Sequence, residues 1–131
     1  REDLINLARR GNFKGVSPQL MPMFIHPDRA EDTVLTGTIT AMAMDIGQES
    51  FIRQQTAIAG RPDSLPTLSE IECPALVVVG AHDILTPPEL AEEIAAGIGG
   101  AQLEYIADAA HLPTLEEPEA TNEVLKTWLR Q

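Results

Sequence analysis

The chain has 131 residues, 44% hydrophobic and 22% charged, a composition that suits one globular domain or part of one. Nine Lys and Arg against twenty Asp and Glu give a formal net charge of -11, which disfavours nucleic acid and anionic membrane as partners. No apolar run approaches the length of a membrane span, and the single cysteine, Cys73, excludes an internal disulfide and fits a reducing, cytoplasmic compartment.

The first 60 residues read as helical. Arg1 to Arg10 places Leu4, Leu7 and Ala8 on one side, and Gly11 stops the run. Ser17-Pro18 is a helix start, with a serine cap and proline at the first helical position. Leu20, Met21, Phe24 and Ile25 follow at helical spacing, with Pro22 inside the run and Pro27 at its end, so the expected helix is short or kinked. From Arg29 to Ile46 the residues Leu35, Ile39, Met42 and Ile46 make one apolar stripe that Gly47 terminates. A further helix carries Phe51, Ile52, Gln55 and Ile58 and closes at Gly60. The polar, proline-rich stretch "GRPDSLPTLSEIECP" then reads as a connection.

After that connection the pattern changes. "ALVVVG" is a continuous β-branched run, as expected of a strand buried on both faces. Thr86-Pro87-Pro88-Glu89 reads as a capping box, and Leu90, Ile94 and Ile98 repeat every four residues until Gly99-Gly100. "AQLEYIAD" is a second strand, and "EEPEATNEVLKTWLRQ" is a last amphipathic helix with Val124, Leu125, Trp128 and Leu129 inward. Strand, helix, strand, helix predicts an α/β fold with a parallel sheet and right-handed crossovers.

In such a sheet, ligands bind beyond the carboxyl ends of the strands. Asp83 lies three residues after Gly80 at one such end, and His111 follows the second strand. A carboxylate beside an imidazole fixes its tautomer and stabilises its charged form, the acid and base of a nucleophilic triad.

The stretch "IECPALVVVGAHDILTPPELAEEIAAGI" followed by "AQLEYIADAAHLPTLEEPEATNEVLKTWL" resembles the C-terminal portion of α/β-hydrolase fold enzymes. That family places its acid in a G-x-x-D pattern after a late strand and its histidine in A-x-H-L after the last strand. Gly80-Ala81-His82-Asp83 and Ala109-Ala110-His111-Leu112 match these, and Glu117-Pro118-Glu119 opens the closing helix. Many members have glycine before the histidine where this chain has Ala110. The resemblance implies an incomplete α/β-hydrolase fold: residues 1–60 as a helical cap, 61–73 as a linker and 74–131 as the C-terminal part of the core. It implies Asp83 and His111 as catalytic residues, esterase- or lactonase-like acyl hydrolysis of a small-molecule substrate, and neither cofactor nor metal. Ile84 and Leu112, which flank the catalytic pair, are the expected pocket walls.

The family's nucleophile sits on a G-x-S-x-G elbow upstream. The serines here are Ser17, Ser50, Ser64 and Ser69, and none lies between glycines. Two strands make a poor sheet, and "ALVVV" would leave a flat apolar edge. The expectation is therefore a partner for that edge: an N-terminal half or a second copy of the chain. The alternative is a non-catalytic fragment or interaction module that pairs through the same edge.

The other reactive residues have plainer readings. Taken alone, an aspartate before a proline-led helix is more often structural, and the matching place of His111 favours catalysis. His82 reads as solvated or as a residue behind the acid, and His26 as structural, and the three histidines do not make a metal pattern. Cys73 precedes the first strand, at the end opposite Asp83, which argues against a Cys-His-Asp set. "GIGGA" is a helix stop. Met21, Met23, Met42 and Met44 read as helix packing ahead of a pocket lining. Glu116-Glu117-Glu119 reads as acids at a helix N-terminus.

Overall fold

The computed structural model describes residues 5–6, 8–13, 15 and 19–130. Leu4, Leu7, Ser17 and Pro18 lie outside them, and with them the first expected stripe and the serine cap. A π-helical turn, Ala8–Asn12, comes first, and Phe13 packs its ring on Phe51 at 5.3 Å between centroids. The proline-broken run forms two separate 3-10 turns, Met21–Met23 and Pro27–Arg29, each with proline at its first or second position. Pro27 thus opens a turn, because a proline lacks only an N–H that a helix start leaves unpaired anyway.

Helix α1, Thr33–Ala59, starts four residues later than the sequence pattern suggests. Asp32 sets the start: its Oδ1 accepts the N–H groups of Val34 and Leu35 at 3.1 and 3.0 Å. Gly47, at φ +72°, breaks α1 into the two helices read from the sequence. The expected stripe is covered only in its first half. Leu35 and Ile39 are buried with Met21 and Ile25, whereas Met42 and Ile46 are about half exposed. Among the described residues, the cluster around Met21 and Ile25 faces only the first turns of the helix, and each fully buried Ile or Leu there contributes about 1.5–3 kcal/mol. Of the four methionines, Met21 alone joins this core.

The connection before the sheet carries its own 3-10 turn, Leu65–Glu70. Strand β1, Leu76–Gly80, pairs in parallel with β2, Gln102–Ile106, in a register running from Leu76 opposite Gln102 to Gly80 opposite Ile106. Helix α2, Pro88–Gly97, makes the crossover. The expectation that β1 is buried on both faces holds only at its end: Leu76, Val77 and Val78 are half-buried, and Val79 and Gly80 are buried. Among the described residues β2 is its only neighbour in the sheet.

The inward face of α2 also differs from the expected one. Ala91 and Ile98 are buried, whereas Leu90 and Ile94 are 45% and 39% exposed. The small Ala91 lets the helix lie close to the sheet. At the helix end, a side chain on Gly97 would meet Leu68 Cδ1 at 2.6 Å, so the preceding connection packs tightly there. A one-turn helix, α3 (Pro113–Glu116), precedes the last helix, α4 (Pro118–Leu129). On α4 the buried residue is Thr121, with Val124 and Trp128 half-buried. Leu125 and Leu129, expected inward, are 37% and 73% exposed.

One glycine fixes how the two strand ends meet. A Cβ on Gly80 would lie 1.9 Å from the Ala110 carbonyl oxygen and 2.6 Å from that of Ala109. Only glycine allows the histidine loop to rest directly on the end of β1.

Candidate active site

The turn after β1 is stitched to the loop after β2. The Ala81 N–H donates to Ile106 O and the His82 N–H to Ala109 O, both at 3.0 Å. This lays the Asp83 and His111 loops side by side. Asp83 is buried, at 6% exposure, and its carboxylate accepts four hydrogen bonds. Oδ1 accepts the N–H groups of Leu85 at 2.8 Å and Thr86 at 3.0 Å. Oδ2 accepts the Thr86 hydroxyl at 2.7 Å and lies 2.9 Å from His111 Nδ1.

Burial works against the charged form of Asp83. It is outweighed by the Thr86 N–H, the His111 ring, the Thr86 hydroxyl and the Leu85 N–H, which together hold the carboxyl below its ordinary value. An ionised Asp83 is acceptor-only, so Nδ1 of His111 carries the proton in this arrangement. Nε2 then holds the free lone pair, as a general base requires. The His111 side chain is 31% exposed, so the ring remains within reach of a reactant.

Thr86 is the site residue that its expected role concealed. The capping box does not form: Pro87 is the N-cap of α2, with no side-chain cap, and Thr86 turns its hydroxyl onto Asp83. The signal was present in the D-x-x-T spacing. An aspartate that caps the N–H of the residue three positions on brings that residue's side chain beside its own.

The segment before α1 closes over the histidine. The His111 N–H donates to Phe24 O at 3.1 Å, and the Phe24 ring meets the His111 ring edge-on at 5.9 Å. Asp83 and Ile84 line a cavity of about 340 Å³ with Pro22, Ile25, Pro27, Ala81 and His82. Leu112 packs instead against the cluster of Met21, Ile25, Leu35 and Ile39. His82 is exposed and stacks edge-on against His26 at 4.3 Å. Cys73 is exposed ahead of β1, so the full strand, about 16 Å at roughly 3.3 Å per residue, separates it from Asp83. Among the described residues no group of three or more His, Cys, Asp or Glu could hold a metal ion, and no helix is long and apolar enough to cross a membrane.

Glu116 departs most from its expected setting. Expected at a helix N-terminus, it instead ends the one-turn helix α3, is 2% exposed, and its carboxylate accepts backbone N–H groups from Ala110, Leu112 and His26. Every buried side-chain polar atom among the described residues has a partner.

No family model matches the chain. Among curated proteins it is 38% identical over 71 residues to a Mycobacterium tuberculosis protein with a provisional non-heme bromoperoxidase name, covering 54% of this chain and 27% of that one. It is 27% identical over 117 residues to the pimeloyl-[acyl-carrier protein] methyl ester esterase of Neisseria meningitidis, covering 89% of this chain and 45% of the relative. A solved thermophilic esterase from Thermogutta terrifontis superposes with a TM-score of 0.88 at 30% identity, over 98% of this chain and 49% of its own. The enol-lactonase from Burkholderia xenovorans gives a TM-score of 0.87 at 25% identity, over 97% and 48%. The chain thus spans about half the length of these solved structures.

Proposed function

The chain belongs to the α/β-hydrolase fold family, and on that premise we propose that it supplies the triad acid and base of an ester- or lactone-hydrolysing enzyme. The observation that carries this reading is the 2.9 Å contact between His111 Nδ1 and the buried Asp83, placed beyond the carboxyl ends of two parallel strands. The nucleophile and the oxyanion donors come from outside this sequence, because no G-x-S-x-G lies within it and its relatives are about twice its matched length. The side of β1 that has no neighbour among the described residues is where that other part of the sheet pairs; a second copy of the chain at this edge is the competing occupant.

In the reaction, His111 Nε2 takes the proton of the nucleophile as it attacks the carbonyl carbon, and returns it to the leaving oxygen. It then takes a proton from the water that cleaves the acyl intermediate and passes it to the departing nucleophile, which restores the neutral base. Asp83 holds the ring and stabilises its charged form, and Thr86 holds Asp83. The segment 1–60 acts as a cap that shapes the pocket, with Ile84 on the pocket wall and Leu112 packed against the cluster of Met21, Ile25, Leu35 and Ile39. The remaining stretch, 61–73, links the cap to the core, 74–131. A cytoplasmic setting accords with the single exposed Cys73.

At its natural full length, the protein is expected to hydrolyse p-nitrophenyl butyrate with a kcat of about 1 s⁻¹ or higher. Absence of turnover above the solution rate on both short-chain esters and lactones would contradict the reading.

A further inference from the structure

The three backbone N–H groups around the histidine are all taken up, alternately from two sides. Those of Ala110 and Leu112 donate to Glu116 Oε1, each at 3.0 Å, and that of His111 itself donates to Phe24 O at 3.1 Å. Glu116 Oε2 accepts the N–H of His26, two residues beyond Phe24. A second tie runs parallel to the first. Arg29 Nη1 donates to the Glu116 carbonyl oxygen and to Glu117 Oε1, and its Nη2 donates to Asp32 Oδ2 at 2.7 Å. The segment from Phe24 to Asp32 and the histidine loop are therefore joined through one buried carboxylate and one guanidinium.

We infer that Glu116 is a positioning residue that ties the His111 loop to the segment 24–32, so that the seating of this segment sets the orientation of the base. The inference rests on His111 being the base. A carboxylate is suited to the task because all three of its partners are N–H donors and it is acceptor-only. The carboxylate oxygens divide the work: Oε1 fixes the backbone on both sides of His111, and Oε2 fixes the segment that covers it. Glu116 itself is 2% exposed, so its carboxylate makes these bonds from a buried position, where each is stronger than in water. A base must be held closely to its productive geometry, so loosening either side of this clamp acts on turnover. The role could not be read from the acidic run, in which Glu116 has the same composition signal as its exposed neighbour Glu119.

The test is Glu116→Gln in the full-length protein, compared with wild type on p-nitrophenyl butyrate. The amide keeps the volume but turns its NH2 towards at least one N–H donor. Active-site titration with a fluorophosphonate gives the fraction of working sites, and one-dimensional NMR gives the downfield Nδ1 proton of His111. The expected result is an unchanged titrated fraction, kcat per site lower by about tenfold to a hundredfold, KM within about twofold, and a broadened or missing Nδ1 proton. A merely structural glutamate would instead lower the titrated fraction and leave kcat per site and the ring proton at wild-type values, which would overturn the inference. Should Glu116→Gln not yield soluble protein, Glu116→Asp decides, since it keeps an acceptor-only carboxylate but withdraws it by one methylene from the N–H groups of Ala110, Leu112 and His26. A several-fold lower kcat per site then supports the tie, and a wild-type value overturns it. His111→Ala, run alongside, separates this inference from the proposed function. Full activity in that variant removes the base assignment and the inference together. An inactive His111→Ala beside a fully active Glu116→Gln removes the inference alone.

Discussion

Replacing His111 with alanine in the full-length protein is expected to cut kcat for ester hydrolysis by about 10⁴-fold or more, with the melting temperature within about 3 °C of wild type. The two readouts separate because of how the residue is built in. The loop is held by its backbone, through Phe24, Glu116 and the close approach of Ala109 and Ala110 to Gly80, none of which uses the imidazole. The ring itself is 31% exposed and touches chiefly Asp83, Thr86 and Phe24. Steady-state kinetics and a thermal melt on the same preparation check the prediction. Loss of fold with loss of activity would make His111 structural, and retained activity would place the base elsewhere.

Asp83→Asn is the second large effect, expected to lower kcat by about 10⁴-fold. The amide oxygen can still accept the N–H groups of Leu85 and Thr86, so the turn survives. The amide NH2 then occupies the place of Oδ2 and donates to His111 Nδ1, which moves the ring proton to Nε2 and removes the base. The same substitution alters the acid limb of stability. The carboxyl of Asp83 is held below its ordinary value in the folded chain, so the unfolded chain binds the proton more readily. The stabilisation from this group is therefore complete above an unfolded carboxyl value of about 3.9 and is lost as pH falls through the lower folded value. Between about pH 5 and pH 2, wild type should lose melting temperature faster than Asp83→Asn. Identical acid limbs, or near-normal turnover, would mean that another carboxylate serves the histidine.

The parts of this architecture that were legible in the sequence are those set by local chemistry. A β-branched run, a proline-led helix and a second short strand specify a parallel pair, and the strand ends locate Asp83 and His111. What was not legible depends on what covers each surface. Periodicity groups Leu90 with Ile94, and Met42 with Ile46, but cannot say that these faces are left exposed among the described residues. Leu125 and Leu129 show the same limit, since the face of α4 that turns inward carries Thr121 and Trp128. The two polar surprises have one cause. Thr86 and Glu116 occupy positions where helix-start chemistry is expected, yet each side chain turns to the loops of Asp83 and His111: Thr86 to Asp83 three residues back, and Glu116 to Ala110 and Leu112 nearby and to His26 across the chain. His26 lies 90 residues from Glu116 in the chain, a pairing that no local rule connects.

The central claim is that Asp83 and His111 activate a nucleophile supplied from outside this sequence. The most direct measurement is the site and rate of covalent labelling of the full-length protein by a fluorophosphonate, read by peptide mass spectrometry in wild type and His111→Ala. The account predicts one label per active site, on a residue that precedes Arg1, formed at least about a hundredfold more slowly without His111. A label within Arg1–Gln131, or equal labelling rates in the two proteins, would contradict it.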